Sequence, residues 1–297
     1  MNDQVKGSFL AIFGASCWGV SGCVGQYLFT RQGMDSTWLV PIRLGLAGIL
    51  ICAYYLCKSP KQLFAPWKSW RNARDLLIYG LLGITACQFL YFLTIQLSNA
   101  GIATILQELA PVMILGVLCL KERRAPRRNE TGSIILALVG VLLLTTHGSL
   151  TELAVSPDAL IAGSLAAVSV VVYTMWPKNL QKQFPTPMLQ GWAFLMGGTA
   201  LALVFRPWEY GYVPTAAGYL GIAAVVLIGN VLAFSCYMSG VKLIGPQKAS
   251  LYSFAEPVTA AILGTLVLGS PFTWWDFIGF VCIFVMLVLL SVKQEAL

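Results

Sequence analysis

Three ionisable side chains stand in stretches that are otherwise apolar. Glu108 lies in Gln107-Glu108-Leu109-Ala110-Pro111-Val112, Glu256 in Ser253-Phe254-Ala255-Glu256-Pro257-Val258, and Arg43 in Pro41-Ile42-Arg43-Leu44. A carboxylate in such surroundings suits an amine, a cation or a proton, and a guanidinium suits a carboxylate. Each acid also precedes a proline, Pro111 or Pro257, that has no N–H to offer the carbonyl four residues back. The spacing therefore predicts helix breaks with free carbonyls at Gln107 and Ser253. The plainer alternative for Glu108 is a buried structural hydrogen bond, and for Glu256 a structural role. For Arg43 it is snorkelling, or holding a neighbouring helix by its carbonyls.

Other residues can complete a pocket around these three: Trp18, Gln26, Gln88, Tyr91, Tyr173, Trp176, Asn230, Tyr237, Tyr252 and Ser253. Gln88 and Tyr91, three positions apart, share a helix face. Aromatic walls with a few polar groups suit a small amphipathic molecule, although each of these residues also has ordinary packing open to it. The single histidine, His147, falls at the end of an apolar run beside Gly148 and reads as an exposed interfacial residue.

The elements that must position these groups are set by composition. Of 297 residues, 58% are hydrophobic and only 10% charged, and the mean hydropathy is +0.76. Such a chain has too few polar side chains to coat a soluble globule of its size, so it reads as an all-α integral membrane protein. Runs near the ~20 residues needed to cross the bilayer fall at 7–29, 36–57, 76–97, 99–120, 130–147, 158–178, 187–205, 214–239, 247–268 and 274–292. The first is too long for a signal-peptide core and is expected to be retained. On this register Glu108 and Glu256 each sit about nine residues inside a span, near the bilayer midplane. An acid there costs about 2.5–3.5 kcal/mol even on lenient scales, so both are expected to face the protein interior.

The formal charge of +7 is explained by topology and needs no nucleic-acid partner. With the N-terminus inside, sixteen Lys and Arg fall in inner segments and only Arg31 and Arg206 in outer ones, which predicts both termini cytoplasmic. The basic loop from Lys121 to Arg128 then reads as a topology anchor near anionic headgroups. The eight cysteines make no Cys-x-x-Cys and read as small core residues, and no metal or cofactor is expected.

An offset of 146 superposes Leu81 on Leu227, Gly83 on Gly229, Tyr91 on Tyr237, Ala103 on Ala249 and Pro111 on Pro257. Five spans per copy reverse the second copy in the membrane, so the expectation is an inverted repeat: residues 1–147, an outer linker at 148–157, and 158–297. Small residues on stripes, Gly7, Ala11, Ala15, Gly19 and Gly22 in the first span and Ala162, Gly163, Ala166 and Ala167 in the sixth, read as helix-packing faces.

Together with the ten spans, Trp18-Gly19, Pro41-Ile42-Arg43-Leu44 and Glu256-Pro257-Val258 followed by Gly264, Leu268-Gly269 and Gly279 resemble the EamA-type members of the drug/metabolite transporter superfamily. The resemblance covers nearly the whole chain. It implies a basket-like fold with a central cavity lined by helices 1, 3, 4, 6, 8 and 9, and export of amino acids or other small metabolites. There are two departures. Ser270 stands where the family pattern has Glu after Leu-Gly, while the first-half counterpart is kept as Glu122; and an acid at Glu108 is not a family-wide feature.

The resulting expectation is a secondary transporter exporting small amino-acid-like or amine-bearing metabolites by alternating access, with or without proton coupling, as a monomer or homodimer. Efflux of lipophilic organic cations is the alternative transport reading, and a non-transporting receptor or scaffold the rival from another class. An enzyme is not expected, because no phosphate loop, metal spacing or catalytic base stands out.

Overall fold

The computed structural model describes residues 2–147 and 155–292, so 148–154 of the expected linker and the terminal residues 293–297 lie outside the described residues. The described residues are helical without strands. The bundle helices are α1 (Asp3–Gln32), α2 (Ser36–Lys58), α3 (Trp70–Leu97), α4 (Ala100–Lys121), α5 (Arg128–Thr146), α6 (Pro157–Met175), α7 (Thr186–Phe205), α8 (Ala216–Ile244), α9 (246–268) and α10 (Trp274–Val292). The first eight are long and apolar enough to cross a membrane. Outward-facing side chains such as Leu220, 72% exposed, and Leu266, 78% exposed, would be an aggregation surface in water and are at home against lipid.

Local chemistry places the helix ends. Asn99 caps α4 by accepting from Ile102 N–H at 2.9 Å, Ser156 caps α6 through Ala159 N–H at 3.2 Å, and Thr215 caps α8 through Gly218 N–H at 3.1 Å. Gly33 and Gly269, at φ 64° and 70°, close α1 and α9 in the left-handed conformation. His147 adopts φ 47° at the end of α5. It is part-buried, and its Nε2 lies 2.9 Å from Asp276 on α10, so it is not the free interfacial residue its position suggests.

Two helices are broken, and two carry π-helical stretches. In α4 the helix ends at Gln107 and resumes at Ala110. In α9 it ends at Tyr252 and resumes at Ala255. Both breaks are tight turns with three-residue spacing. Leu109 N–H donates to Leu106 at 3.2 Å, Phe254 N–H to Leu251 at 3.4 Å, and Glu256 N–H to Ser253 at 2.9 Å. The Ser253 carbonyl is therefore taken, contrary to the expectation from Pro257. The π-helical stretches, Ile78–Thr85 in α3 and Val225–Leu232 in α8, are eight residues each.

Small residues bring the helices together. A methyl group at Gly198 of α7 would lie 2.3 Å from Gly45 N of α2, and one at Gly48 of α2 would lie 2.3 Å from Leu195 N, so these two helices touch backbone to backbone. Gly19 of α1 faces the Glu256 carbonyl of α9, where a methyl would approach to 2.5 Å, and Gly240 of α8 faces Gly7 and Ala11 of α1. The small stripe on α1 is thus used for close approach, as expected. The main pairings are α2 with α7, α1 with α8 and α9, α3 with α6, and α5 with α10.

Candidate functional site

The tight turns in α4 and α9 bring Glu108 and Glu256 into the middle of the bundle. Both side chains are half-buried; Glu256 senses the charge of Glu108, and Tyr237 senses both acids. Tyr91 of α3 donates from its hydroxyl to Glu256 Oε1 at 3.3 Å. Tyr237 of α8 is hydrogen-bonded to Ser253 in the α9 turn, and its ring lies 4.9 Å from Trp18 of α1. Tyr173 of α6 packs against Gly83 and interacts with Glu256, Tyr237 and Cys87. Six helices, α1, α3, α4, α6, α8 and α9, therefore contribute to one polar centre, the same six the resemblance implies.

Arg43 approaches this centre from behind. It is 2% exposed, its Nη2 donates to Gln88 Oε1, and its guanidinium lies 3.7 Å from the centroid of the Phe92 ring. Among the described residues the Nε and Nη1 groups of Arg43 have no hydrogen-bond partner. Gln88 is thus turned toward Arg43, while Tyr91, one helical turn along, reaches Glu256.

Other expected residues sit elsewhere. Trp176 is 47% exposed at the end of α6 and does not join the group. The Tyr252 hydroxyl accepts from Ser8 Oγ at 3.3 Å, beside the first turns of α1. Asn230 is buried in the π-helical stretch of α8, with Nδ2 unpartnered. Gln26 is a structural clamp: its Nε2 donates to Ser270 Oγ at 2.8 Å and its Oε1 accepts from Ala100 N–H at 2.9 Å, tying α1 to the end of α9 and the start of α4. Ser270, in the place of the family Glu, is the acceptor in that clamp. Two contributing side chains were not singled out in the sequence, those of Cys87 and Gln107, the Nε2 of Gln107 lying 3.7 Å from Cys87 Sγ. Their signal was only adjacency to Gln88 and Glu108.

A separate, small crevice of about 30 Å³ is lined by Asn99, Gly101, Ala260, Gly264, Ser270 and Asp276, among others. It lies beyond the acids, but Ala260 is one helical turn, about 6 Å, from Glu256.

An apolar helical bundle with carboxylates, hydroxyls and aromatic rings converging at its centre defines a multi-pass membrane protein with a polar core. The chain belongs to the EamA-like transporter family, which it matches over residues 5–146 and again over 158–292. It is similar to the uncharacterized inner membrane transporter YicL of Salmonella typhimurium, with 35% identity over 99% of this chain and 98% of that protein. Similarity extends to the uncharacterized inner membrane transporter YedA of Escherichia coli K12, at 26% identity over 89% of this chain and 86% of that protein. Protein PecM of Dickeya dadantii is 25% identical over 75% and 73% of the two chains. One solved crystal structure, 18% identical, matches 99% of this chain and 98% of its own with a TM-score of 0.65, a likeness of fold. The chain is thus a membrane transporter, handling a small molecule.

Proposed function

We propose that this transporter exports a small amine-bearing, amino-acid-like metabolite across a bacterial-type inner membrane, with Glu108 and Glu256 receiving the amine. The observation that carries the reading is the convergence of both acids with Tyr91, Tyr237, Ser253 and Trp18 from opposite halves of the chain. Carboxylates supply charge-assisted acceptors and the rings an apolar body, the combination an amphipathic amine needs. The chain offers no nucleotide-binding motif, so the energy is taken from a gradient, by solute alone or by exchange with protons at the acids.

Residues 1–147 and 158–297 act as inverted repeats that rock about this centre, with both termini cytoplasmic. The contact pattern supports this. Replacing each helix by its counterpart five places away turns the α3–α6 contact into α8–α1 and leaves α2–α7 and α5–α10 as they are. The two π-helical stretches and the two broken helices exchange in the same way. The crevice beginning one turn past Glu256 marks the outward route. Efflux of lipophilic cations would use the same acids, but a buried guanidinium behind them repels a simple cation.

Thermal-shift screening of the purified protein against amino acids, amines, nucleosides and organic cations, followed by counterflow in proteoliposomes, tests the reading. Amine-bearing metabolites are expected to stabilise and to be transported. Selective stabilisation and transport of nucleosides, or of permanently charged lipophilic cations alone, would contradict it.

A further inference from the structure

We infer that Arg43 and Gln88 form a subsite for a carboxylate carried by the cargo, so that the transported solute is an amine and an acid at once. The inference rests on the reading that Glu108 and Glu256 receive the amine. Arg43 is 2% exposed, and among the described residues no carboxylate lies within ion-pair distance of it. Its only hydrogen-bond acceptor is the neutral amide oxygen of Gln88, and its Nε and Nη1 groups are buried without partners. A buried guanidinium ordinarily has a carboxylate or several carbonyls around it. Here one face is given to Phe92 and two of its three nitrogens are left unsatisfied, although its planar fork is shaped for bidentate binding of a carboxylate.

Its placement ties the unpartnered guanidinium to the cargo site. Arg43 lies seven residues into α2, about 10 Å from its start, and Glu108 eight residues into α4, about 12 Å from its start. The groups that feel the Arg43 charge are Tyr91 and Cys87, and both also feel Glu256. Tyr91 bonds Glu256 directly and also feels Arg43, so it links the guanidinium to Glu256. A carboxylate entering from the Tyr91 side takes Nη2 from the Gln88 amide oxygen and pairs it with Nε or Nη1 as a fork, while the Gln88 Nε2 group is left to donate to it. The charges also complement each other: one guanidinium and two carboxylates match a cargo with one carboxylate and two ammonium groups, or one ammonium with a proton on the second acid.

The test compares each standard amino acid with its decarboxylated amine, for example lysine with cadaverine and phenylalanine with phenethylamine, by equilibrium binding to the full chain in detergent. At least one amino acid is expected to bind tenfold or more tightly than its amine. Gln88→Glu, nearly isosteric, places a carboxylate beside Arg43. It is expected to melt no lower than the parent and to reduce that ratio at least tenfold, and Arg43→Lys is expected to reduce it as well. Amines binding as tightly as amino acids would overturn the subsite while sparing the acid pair. An unchanged ratio in a well-folded Gln88→Glu would overturn it in favour of a structural Arg43. Binding of neither member of any pair would overturn the subsite together with the amine reading.

Discussion

Single residues differ in how much of their role can be read from type alone. Glu108, Glu256 and Arg43 stand out because a charge in an apolar run has to be explained, and all three lie at or beside the polar centre. The partners of Arg43 are a different matter. Gln88 and Phe92 come from another helix, and nothing in their spacing relative to Arg43 encodes the contact. Trp176 misleads for a related reason: the spans are apolar all round, so periodicity does not separate an inward aromatic from an outward one. Outside the membrane, Asp35 is more legible, as an acid just ahead of a helix. It caps α2, accepting from Thr37 N–H and from Gln96 Nε2, both at 2.8 Å. Burial raises its affinity for a proton, but the bonds from Thr37 and Gln96 outweigh this and hold the carboxyl below its ordinary value of 3.8. A lowered folded-state value means stabilisation that is present above the unfolded carboxyl's range and lost as pH falls through the folded one. Asp35→Ala is expected to lose about 1 kcal/mol near neutral pH. Melting curves for Asp35→Asn and the parent are expected to converge as pH drops below 3.8.

At the scale of helices, the hydropathy runs locate all ten, and the prolines flag the two that break. The breaks fall three residues before each proline, where the chain tightens into a short-spaced turn. That turn presents Glu108 and Ser253, and in α9 it takes up the Ser253 carbonyl that Pro257 was expected to free. The π-helical stretches were not legible, since Ile78–Thr85 and Val225–Leu232 have the composition of any apolar span. Packing by glycine is partly legible. The stripe on α1 announces itself, while the α2–α7 contact depends on Gly198 meeting Gly45 and on Gly48 meeting Leu195, pairings set by tertiary structure. Gly198→Leu is therefore expected to destabilise the bundle by about 1–3 kcal/mol or prevent its folding. Gly45→Ala, whose added methyl meets nothing within 4 Å, is expected to melt at or above the parent temperature. Thermal melts in detergent of the two variants side by side check both outcomes.

For the whole molecule, the charge asymmetry and the offset identities support the proposed arrangement, ten helices in two reversed halves with the polar centre between them. The proposed repeat rests on scattered identities, at positions where close approach and helix breaks call for the same residue types in both halves. Topology can be read out at Cys57, which is exposed at the end of α2. A membrane-impermeant maleimide is expected to label it in inverted vesicles and not in intact cells. Labelling from outside would reverse the orientation. The central claim is that the two acids meeting in the middle of the bundle hold the cargo. Counterflow in proteoliposomes of the parent, Glu108→Gln and Glu256→Gln, using an amine-bearing solute that the parent carries, tests it most directly. Each substitution is expected to lower transport at least tenfold while the protein still folds. Parental rates in both variants would contradict the account.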